Sequence, residues 1–264
     1  MIKLLQKISS PTFCKLNNVF NTCKSFFIPT KPDCFVKSCE EEAVKLFDSF
    51  SIKLPNNNEK VIVGMKKGLR EQQYSIFVEN QYNYLLAYND ILFKFNKTLR
   101  GINMRVFDKN DRNKGIGRLM RLMSIAEMFN NNMNRIMIDA ADTAVMFHFR
   151  HKFVPHIREN LEAHDILGVI SEPFSAGFDD LAQRAKEIKP LLKKMNRIKN
   201  PQEQVFIPIS QLTLEFLNRI EQKGLKPERL GSNGMVMVLT KERVLQNKDF
   251  FNPLFEQYGI NFRL

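Results

Sequence analysis

Tryptophan and paired cysteines are missing from this sequence. None of its four cysteines stands in a C-x-x-C pair, which disfavours a zinc ribbon and a dithiol redox motif. A chain of 264 residues can bury a sizeable core without cross-links, so we expect reduced thiols rather than a disulfide framework. All four lie in the first 40 residues: Cys14, Cys23, Cys34 and Cys39.

A zinc-binding pattern is missing as well. The four histidines fall within one stretch, but no cysteine lies near them and their spacing fits no standard zinc motif. We therefore predict no metal site. The histidines are His148, His151, His156 and His164.

Long apolar runs are also lacking. No segment approaches the roughly 20 apolar residues that cross a bilayer. Residues 1–8 lack the apolar run and small-residue cleavage site of a secretory signal, and the arginine of an organellar transit peptide. These absences predict a cytoplasmic protein.

Basic residues outnumber acidic residues in this sequence. The hydrophobic content of 44% and charged fraction of 26% are ordinary for a globular protein, but 40 basic against 28 acidic residues give a net charge of +12. Such a surface favours an acidic partner: nucleic acid, anionic lipid, an acyl carrier protein or a phosphate-bearing coenzyme. A solvated lysine-rich surface without a partner is the other interpretation.

The composition changes along the chain. Residues 1–32 contain three prolines and no acidic residue, which predicts a basic N-terminal extension. We predict a core over residues 33–160. Residues 161–264 either complete its sheet or form a small second domain.

Apolar periodicity predicts the elements outside the central segment. Residues 82–95 contain one or two strands, with a turn at Asn89-Asp90. Ser210 is predicted to cap a helix that Gly224 ends. The other predicted elements are strands at 35–36, 61–63, 74–78, 205–209 and 235–239, and helices at 40–50 and 178–198, the latter interrupted by Pro190.

The central segment gives the clearest order of elements. Residues 99–107 alternate as a strand, and a polar loop follows over 108–114. Apolar residues then recur at helical spacing from Ile116 to about Asn130. A strand over 135–139 and a helix over 143–151 come next. This order predicts neighbouring parallel strands joined by a crossover helix.

The loop before this helix contains the glycine pair Gly115 and Gly117. Glycines between a strand and a helix let the backbone approach a ligand, and the helix start offers free N–H groups that bind phosphate. Lys114 and Arg118 add positive charge there.

Two motifs resemble those of the GCN5-related N-acetyltransferases. Arg112 opens an Arg-x-x-Gly-x-Gly sequence after a strand, like the family's pyrophosphate-binding motif. Residues 144–153 match the family's Ala-x-x-Φ-Tyr-x-x-x-Gly-Phe helix, where Φ is apolar, at Ala144, Phe147 and Phe153. The resemblance covers residues 99–153, about a fifth of the chain.

The resemblance implies a fold, a cosubstrate and a reaction. The fold is α/β, a mixed and mostly antiparallel sheet flanked by helices. Acetyl-CoA or another acyl-CoA binds through its pyrophosphate to the loop, and the strand end at Met104 and Val106 presents an amide to the thioester carbonyl. An amine then attacks the thioester directly. The loop residues implied are Arg112, Asn113, Lys114, Gly115, Ile116, Gly117 and Arg118.

The chain departs from the family at two positions. His148 stands where the family has the tyrosine that protonates the leaving thiolate, and Lys152 replaces a glycine. His148 either serves as the acid or fills the tyrosine's space. The base is left open between a chain of waters and three carboxylates: Glu79, Asp108 and Asp142.

Three other interpretations compete. Gly115-x-Gly117 followed by Asp139 suits a dinucleotide-binding domain, but Met120 occupies the third glycine position and the loop is too long. The charge, the basic helix over 184–199 and the aromatics over 74–95 suit a protein that binds or modifies nucleic acid. A catalytically inactive CoA-binding domain is the third.

Overall fold

The computed structural model describes residues 47, 49–94, 96–112, 114–172, 177–225, 230 and 234–264. Several predictions concern residues outside this set. They are the N-terminal extension, the reduced state of the four cysteines, the strand at 35–36 and most of the helix at 40–50. At the end of that helix prediction, Phe50 instead opens a strand.

An eight-stranded mixed sheet forms the framework. Its order is β1-β2-β3-β4-β5-β6-β8-β7. The pairs β1–β2, β2–β3, β6–β8 and β7–β8 are antiparallel, while β5–β6 is parallel. The predicted mixed, mostly antiparallel sheet is therefore confirmed. The strands are β1 (Phe50–Lys53), β2 (Lys60–Lys67), β3 (Gln73–Asn80), β4 (Leu85–Lys94), β5 (Thr98–Val106), β6 (Arg135–Ala140), β7 (Val154–Pro155) and β8 (Met235–Thr240).

Helices connect the later strands. Short 3-10 turns precede the first two helices, at Lys109–Asp111 and Asp142–Ala144. The α-helices among the described residues are α1 (Ile116–Asn130), α2 (Val145–Arg150), α3 (Asn160–Ser171), α4 (Asp179–Lys193), α5 (Ile207–Gln222), α6 (Lys241–Gln246) and α7 (Lys248–Gln257).

The chain divides into two compact units. The first comprises the described residues up to 90, those within 103–132 and those of 249–264, and the second comprises the described residues within 91–102 and 133–248. The division into an extension, a core over 33–160 and a C-terminal part remains a prediction.

In the first unit, α1 lies against the sheet. Alternate residues of β2 and β3 are buried, as expected for strands with one face in a core. Helix α1 is buried on almost every side from Leu119 to Met128, so it is covered by more than the sheet. Phe262 packs its ring against Phe129 and Phe255, at 5.6 and 4.7 Å between centroids.

In the second unit, three helices are inserted between β7 and β8. Strands β6 and β8 are mostly apolar, and α3, α4 and α5 pack against one another. The guanidinium of Arg219 on α5 holds both oxygens of Asp180 on α4, at 2.5 and 2.6 Å. It also contacts Glu215, which in turn pairs with Arg184.

The turn predicted at Asn89-Asp90 is wrong, because β4 runs unbroken through both residues. The Asn89 side chain is buried and donates a hydrogen bond to Ser124 Oγ at 2.9 Å. The turn lies at residues 81–84, where the Asn80 side-chain oxygen accepts hydrogen bonds from two backbone N–H groups.

The strand predicted at 205–209 is also wrong. A π-helical turn, Gln202–Phe206, leads into α5 there, and short apolar runs do not distinguish a buried helix from a strand. Ser210 lies inside α5, where it donates to Phe206 O and accepts from Ile157 N–H. Pro190 does not interrupt α4, which continues to Lys193.

Helix α2 ends just before Lys152, which stands where the motif of the GCN5-related N-acetyltransferases has glycine. Lys152 adopts the left-handed conformation, with φ of 67°. Its N–H bonds to Phe149 O at 2.9 Å, and Phe153 N–H bonds to His148 O at 3.2 Å, which is the Schellman arrangement. Arg243 Nε donates to Lys152 O at 2.7 Å and holds this turn in place. The backbone geometry that favours glycine is therefore kept although the residue is lysine.

Candidate functional site

Strand β5 separates from its parallel neighbour partway along its length. The two strands pair over Thr98–Gly101 and Arg135–Ile138, and β5 then continues to Val106 without pairing to β6. Gly101 stands at the last pair, where a Cβ would lie 2.9 Å from the side chain of Ile138. The outer part of β5 thus has a backbone edge that β6 does not use.

The free end of β5 contains the predicted thioester-contacting residues. Met104 and Val106 are half-buried. On the β4 side, Phe107 N–H donates to Leu86 O at 3.0 Å, and Asn103 Nδ2 donates to Tyr88 Oη at 2.7 Å. The segment is therefore held from the β4 side.

The predicted phosphate loop begins with a capped 3-10 turn and ends at a glycine. The Asp108 carboxylate accepts the N–H of Asn110 at 2.8 Å. Gly115 is the N-cap of α1 and has φ of 92°, in the left-handed region where glycine avoids the strain of a side chain. The first intrahelical bond of α1 runs from Leu119 N–H to Gly115 O at 3.0 Å.

The start of α1 has the properties of an anion-binding site. Gly115 provides no side-chain cap. By helix geometry, the N–H groups of Ile116, Gly117 and Arg118 have no intrahelical acceptor, and the helix dipole places partial positive charge there. The side chains of Arg112 and Arg118 are exposed. This arrangement can hold a phosphate or diphosphate.

Lys114 forms ion pairs with carboxylates of the protein itself. Its ammonium contacts Asp111 Oδ1 at 2.8 Å and Glu59 Oε2 at 2.9 Å, and its backbone N–H donates to Asp111 O. These carboxylates raise the pKa of Lys114, and Lys114 lowers the pKa of Glu59. The positive charge available to a ligand at this place therefore belongs to Arg112 and Arg118.

Tyr258 supports the loop and was missed by the sequence reasoning. Its hydroxyl donates to Gly115 O at 2.8 Å, across 143 residues of sequence. Burial raises the pKa of Tyr258 to about 12, so the phenol stays protonated and able to donate. A Cβ on Gly115 would collide with this hydroxyl. No sequence motif connects the two residues.

The proposed acid, His148, is buried in the second unit. Its ring makes edge contacts with Phe147 and Phe153, at 5.0 and 5.7 Å between centroids. Neighbouring His151 donates through Nδ1 to Phe147 O at 2.7 Å. Both roles predicted for His148, a proton donor and a space-filling ring, remain predictions.

The three base candidates lie on different elements. Glu79 is half-buried on β3, opposite Ile62, and Asp108 caps the 3-10 turn. Asp142 begins the turn before α2 and accepts the N–H of Thr143 at 2.7 Å. Asn113, predicted to contact the pyrophosphate, lies outside the described residues.

A second polar group missed from the sequence lies near the carboxyl end of β6. Val236 on β8 is opposite Asp139 of β6, and its carbonyl accepts the N–H of His156 at 2.8 Å. The Glu162 carboxylate accepts Val236 N–H at 2.5 Å, and burial raises the pKa of Glu162. Burial and two nearby arginines lower the pKa of His156, which leaves a neutral imidazole at pH 7. The crowding of histidines was the only sequence signal for this group.

The described part of the chain was also compared with the requirements of a metal site and of a membrane span. No group of three or more His, Cys, Asp or Glu side chains is placed there to hold a metal ion. No described helix has both the length and the apolar character that a membrane span requires.

Comparison with known proteins gives structural similarity over part of the chain. No family model and no curated protein matches the sequence. A GNAT-family acetyltransferase from Staphylococcus aureus matches with 20% identity and a TM-score of 0.31, over 33% of this chain and 56% of that one. Tetrahymena GCN5 matches with 12% identity and a TM-score of 0.31, over 34% and 56%.

A third match is the ribosomal-protein-S18-alanine N-acetyltransferase of Escherichia coli, with 15% identity and a TM-score of 0.31, over 34% of this chain and 59% of that one. The chain thus spans little more than half the length of each of these structures. Over about a third of its own length, the chain is similar to solved acetyltransferases of the GCN5-related family.

Proposed function

We propose that the chain is a divergent GCN5-related N-acyltransferase that transfers an acyl group, most simply acetyl from acetyl-CoA, to an amine. The observation that carries this proposal is the uncapped start of α1 behind the left-handed Gly115, in the loop that follows a strand that has left its parallel neighbour. The first feature suits a diphosphate, and the second leaves free backbone groups for an extended ligand.

The residue roles proposed here are those that the resemblance implies. The N–H groups of Ile116, Gly117 and Arg118 bind the pyrophosphate, with Arg112 and Arg118 adding charge. The free edge of β5 near Met104 and Val106 supplies an amide to the thioester oxygen. The amine nitrogen forms a bond to the carbonyl carbon and gives up a proton to the base. The C–S bond breaks, and the thiolate takes a proton from His148. His156, as a neutral imidazole, joins the base candidates.

A dinucleotide-binding function is less well supported. That function needs an acidic residue free to bind ribose hydroxyls, but Asp139 forms an ion pair with Arg100. Met120, in place of the third glycine, is fully buried in α1. Most of the neighbouring strand pairs are antiparallel, unlike the parallel sheet of that fold.

Gly117→Glu tests the pyrophosphate site. The new carboxylate would stand beside the N–H groups that the diphosphate needs, so we expect CoA affinity to fall at least tenfold, or about 1.4 kcal/mol. Isothermal titration of CoA into the purified protein measures this. Gly168→Glu on α3 is the matched control, since a Cβ there meets no other heavy atom within 4 Å. Unchanged binding by Gly117→Glu would remove the loop from the proposal.

His148→Phe tests the acid. Phenylalanine keeps a buried aromatic ring beside Phe147 and Phe153, so we expect the fold and CoA affinity to be kept while turnover falls by about 10²-fold or more. CoA release from acetyl-CoA, with a diamine and a peptide α-amine as trial acceptors, measures turnover. His164→Phe on α3 is the control. Equal turnover by His148→Phe and the unaltered protein would assign His148 a packing role.

A further inference from the structure

Six basic residues are concentrated in the second half of α4 and in the turn after it. Residues 186–199 contain six basic residues and one acidic residue, Glu187. Lys189 is half-buried and the other five are exposed. We call this surface the α4 strip: Lys186, Lys189, Lys193, Lys194, Arg197 and Lys199.

Nearby carboxylates do not neutralise the strip. The acidic residue Asp180 lies in the first turn of α4 and is held by Arg219 of α5. Glu215 of α5 is taken by Arg219 and Arg184, and Glu187 accepts a hydrogen bond from Gln183. Among the described residues, no strip side chain takes part in an ion pair.

Helix-dipole compensation accounts for only part of this pattern. Basic residues in the last turn of a helix interact favourably with its negative end, and this applies to Lys193. Lys186 lies well before the last turn, and Arg197 and Lys199 lie beyond the helix. Dipole compensation therefore does not explain the strip as a whole.

The surroundings of the strip favour a purely electrostatic partner. The apolar face of α4 is already buried, through Leu181, Ala185 and Leu192 among others. Leu191 is the one large apolar side chain in this stretch that is exposed, at 38%. An amphipathic helix that enters a membrane surface needs a free apolar face, which α4 does not offer.

We propose that the α4 strip binds the phosphodiester backbone of nucleic acid. Lys186, Lys189 and Lys193 fall at helical spacing on α4 over about 10 Å, at 1.5 Å per residue. Lys194, Arg197 and Lys199 follow where the helix ends. A nucleic acid presents successive phosphates to such a run of cations, and contacts to them supply affinity without reading sequence. The strip lies wholly in the second unit, so this proposal holds whether or not the chain is an acyltransferase.

Charge reversal on the strip tests the proposal. The triple variant Lys186→Glu, Lys193→Glu, Arg197→Glu is compared with Lys53→Glu, Lys60→Glu, Lys248→Glu, which alters three exposed lysines elsewhere and changes the net charge by the same amount. Fluorescence anisotropy follows full-length protein binding to a labelled 20-nucleotide single-stranded RNA and a 20-base-pair DNA duplex. The two probes show which kind of backbone is preferred.

We expect the strip variant to bind at least tenfold more weakly, and the control variant to stay within about threefold of the unaltered chain. The slope of log affinity against log salt should fall in magnitude by about 2 to 3 in the strip variant, since three phosphate contacts are lost. If the reversal impairs folding, the corresponding three glutamine substitutions replace it.

Three outcomes would overturn the proposal. One is an equal loss in both variants, which would assign binding to net charge alone. Another is unchanged binding by the strip variant. The third is strip-dependent binding to phosphatidylserine vesicles without binding to either nucleic acid, which would assign the surface to membranes. CoA titration of the same variants should give unaltered affinity.

Discussion

Gly115→Ala is expected to lower the free energy of unfolding by about 2–3 kcal/mol and to abolish CoA binding. A non-glycine residue at a left-handed φ costs about 1–2 kcal/mol, and φ here is 92°. The new Cβ would also displace the Tyr258 hydroxyl, whose hydrogen bond to Gly115 O contributes about 1 kcal/mol. Urea unfolding measures the stability, and titration calorimetry measures CoA binding.

Tyr258→Phe separates the two contributions to this effect. Removing the hydroxyl should cost about 1 kcal/mol by itself. In the Tyr258→Phe background, Gly115→Ala should cost only the backbone strain, because the colliding atom is gone. If Gly115→Ala is as stable as the unaltered protein, the turn described at the start of α1 is incorrect.

Glu127→Gln is expected to remove a pH dependence from stability. The Glu127 side chain is fully buried in α1, and burial raises its pKa to about 7 although Asn130 and Asn131 donate hydrogen bonds to it. Between about pH 4.5 and 7 the folded state therefore holds a proton that the unfolded state has lost, so stability falls as the pH rises through this range. The shift corresponds to about 3 kcal/mol lost above pH 7.

Glutamine keeps the shape and cannot ionise. The buried Asn130 Oδ1 has no hydrogen-bond partner, so a flip of that amide would let it accept from the amide of the introduced glutamine. The free energy of unfolding of the variant, relative to that of the unaltered protein, should rise by about 2–3 kcal/mol from pH 5 to pH 8. Urea unfolding at both pH values measures this, with exposed Glu256→Gln as the control. Parallel pH profiles for Glu127→Gln and the unaltered chain would contradict the raised pKa.

The central elements could be predicted because local patterns determine them. The alternating pattern of residues 99–107 predicted β5, and the helical spacing of apolar residues predicted α1. The glycine pair predicted the turn between them. The helix end at Lys152 was harder to see, since a lysine occupies a conformation usually marked by glycine. Only the matched positions around it, Ala144, Phe147 and Phe153, indicated the right element.

The remaining features depend on contacts between distant residues. Lys114 meets Glu59 across 55 residues, and this pairing decides that its charge is not available to a ligand. Asn89 reads as a turn residue, yet a hydrogen bond to Ser124 on α1 keeps it inside a strand. By sequence alone, the apolar residues 205–209 fit a strand as well as a helix. In the structure they are helical, and α5 packs against neighbouring helices.

The two edges of the sheet are both short. Strand β1 has four residues and ends on exposed Lys53, while β7 has two residues, of which Pro155 has no N–H to donate. Exposed strand edges are where another chain can add a strand, and brevity, proline and lysine all discourage such addition. Within the described part of the chain, both margins of the eight-stranded sheet therefore disfavour the addition of a strand from another molecule.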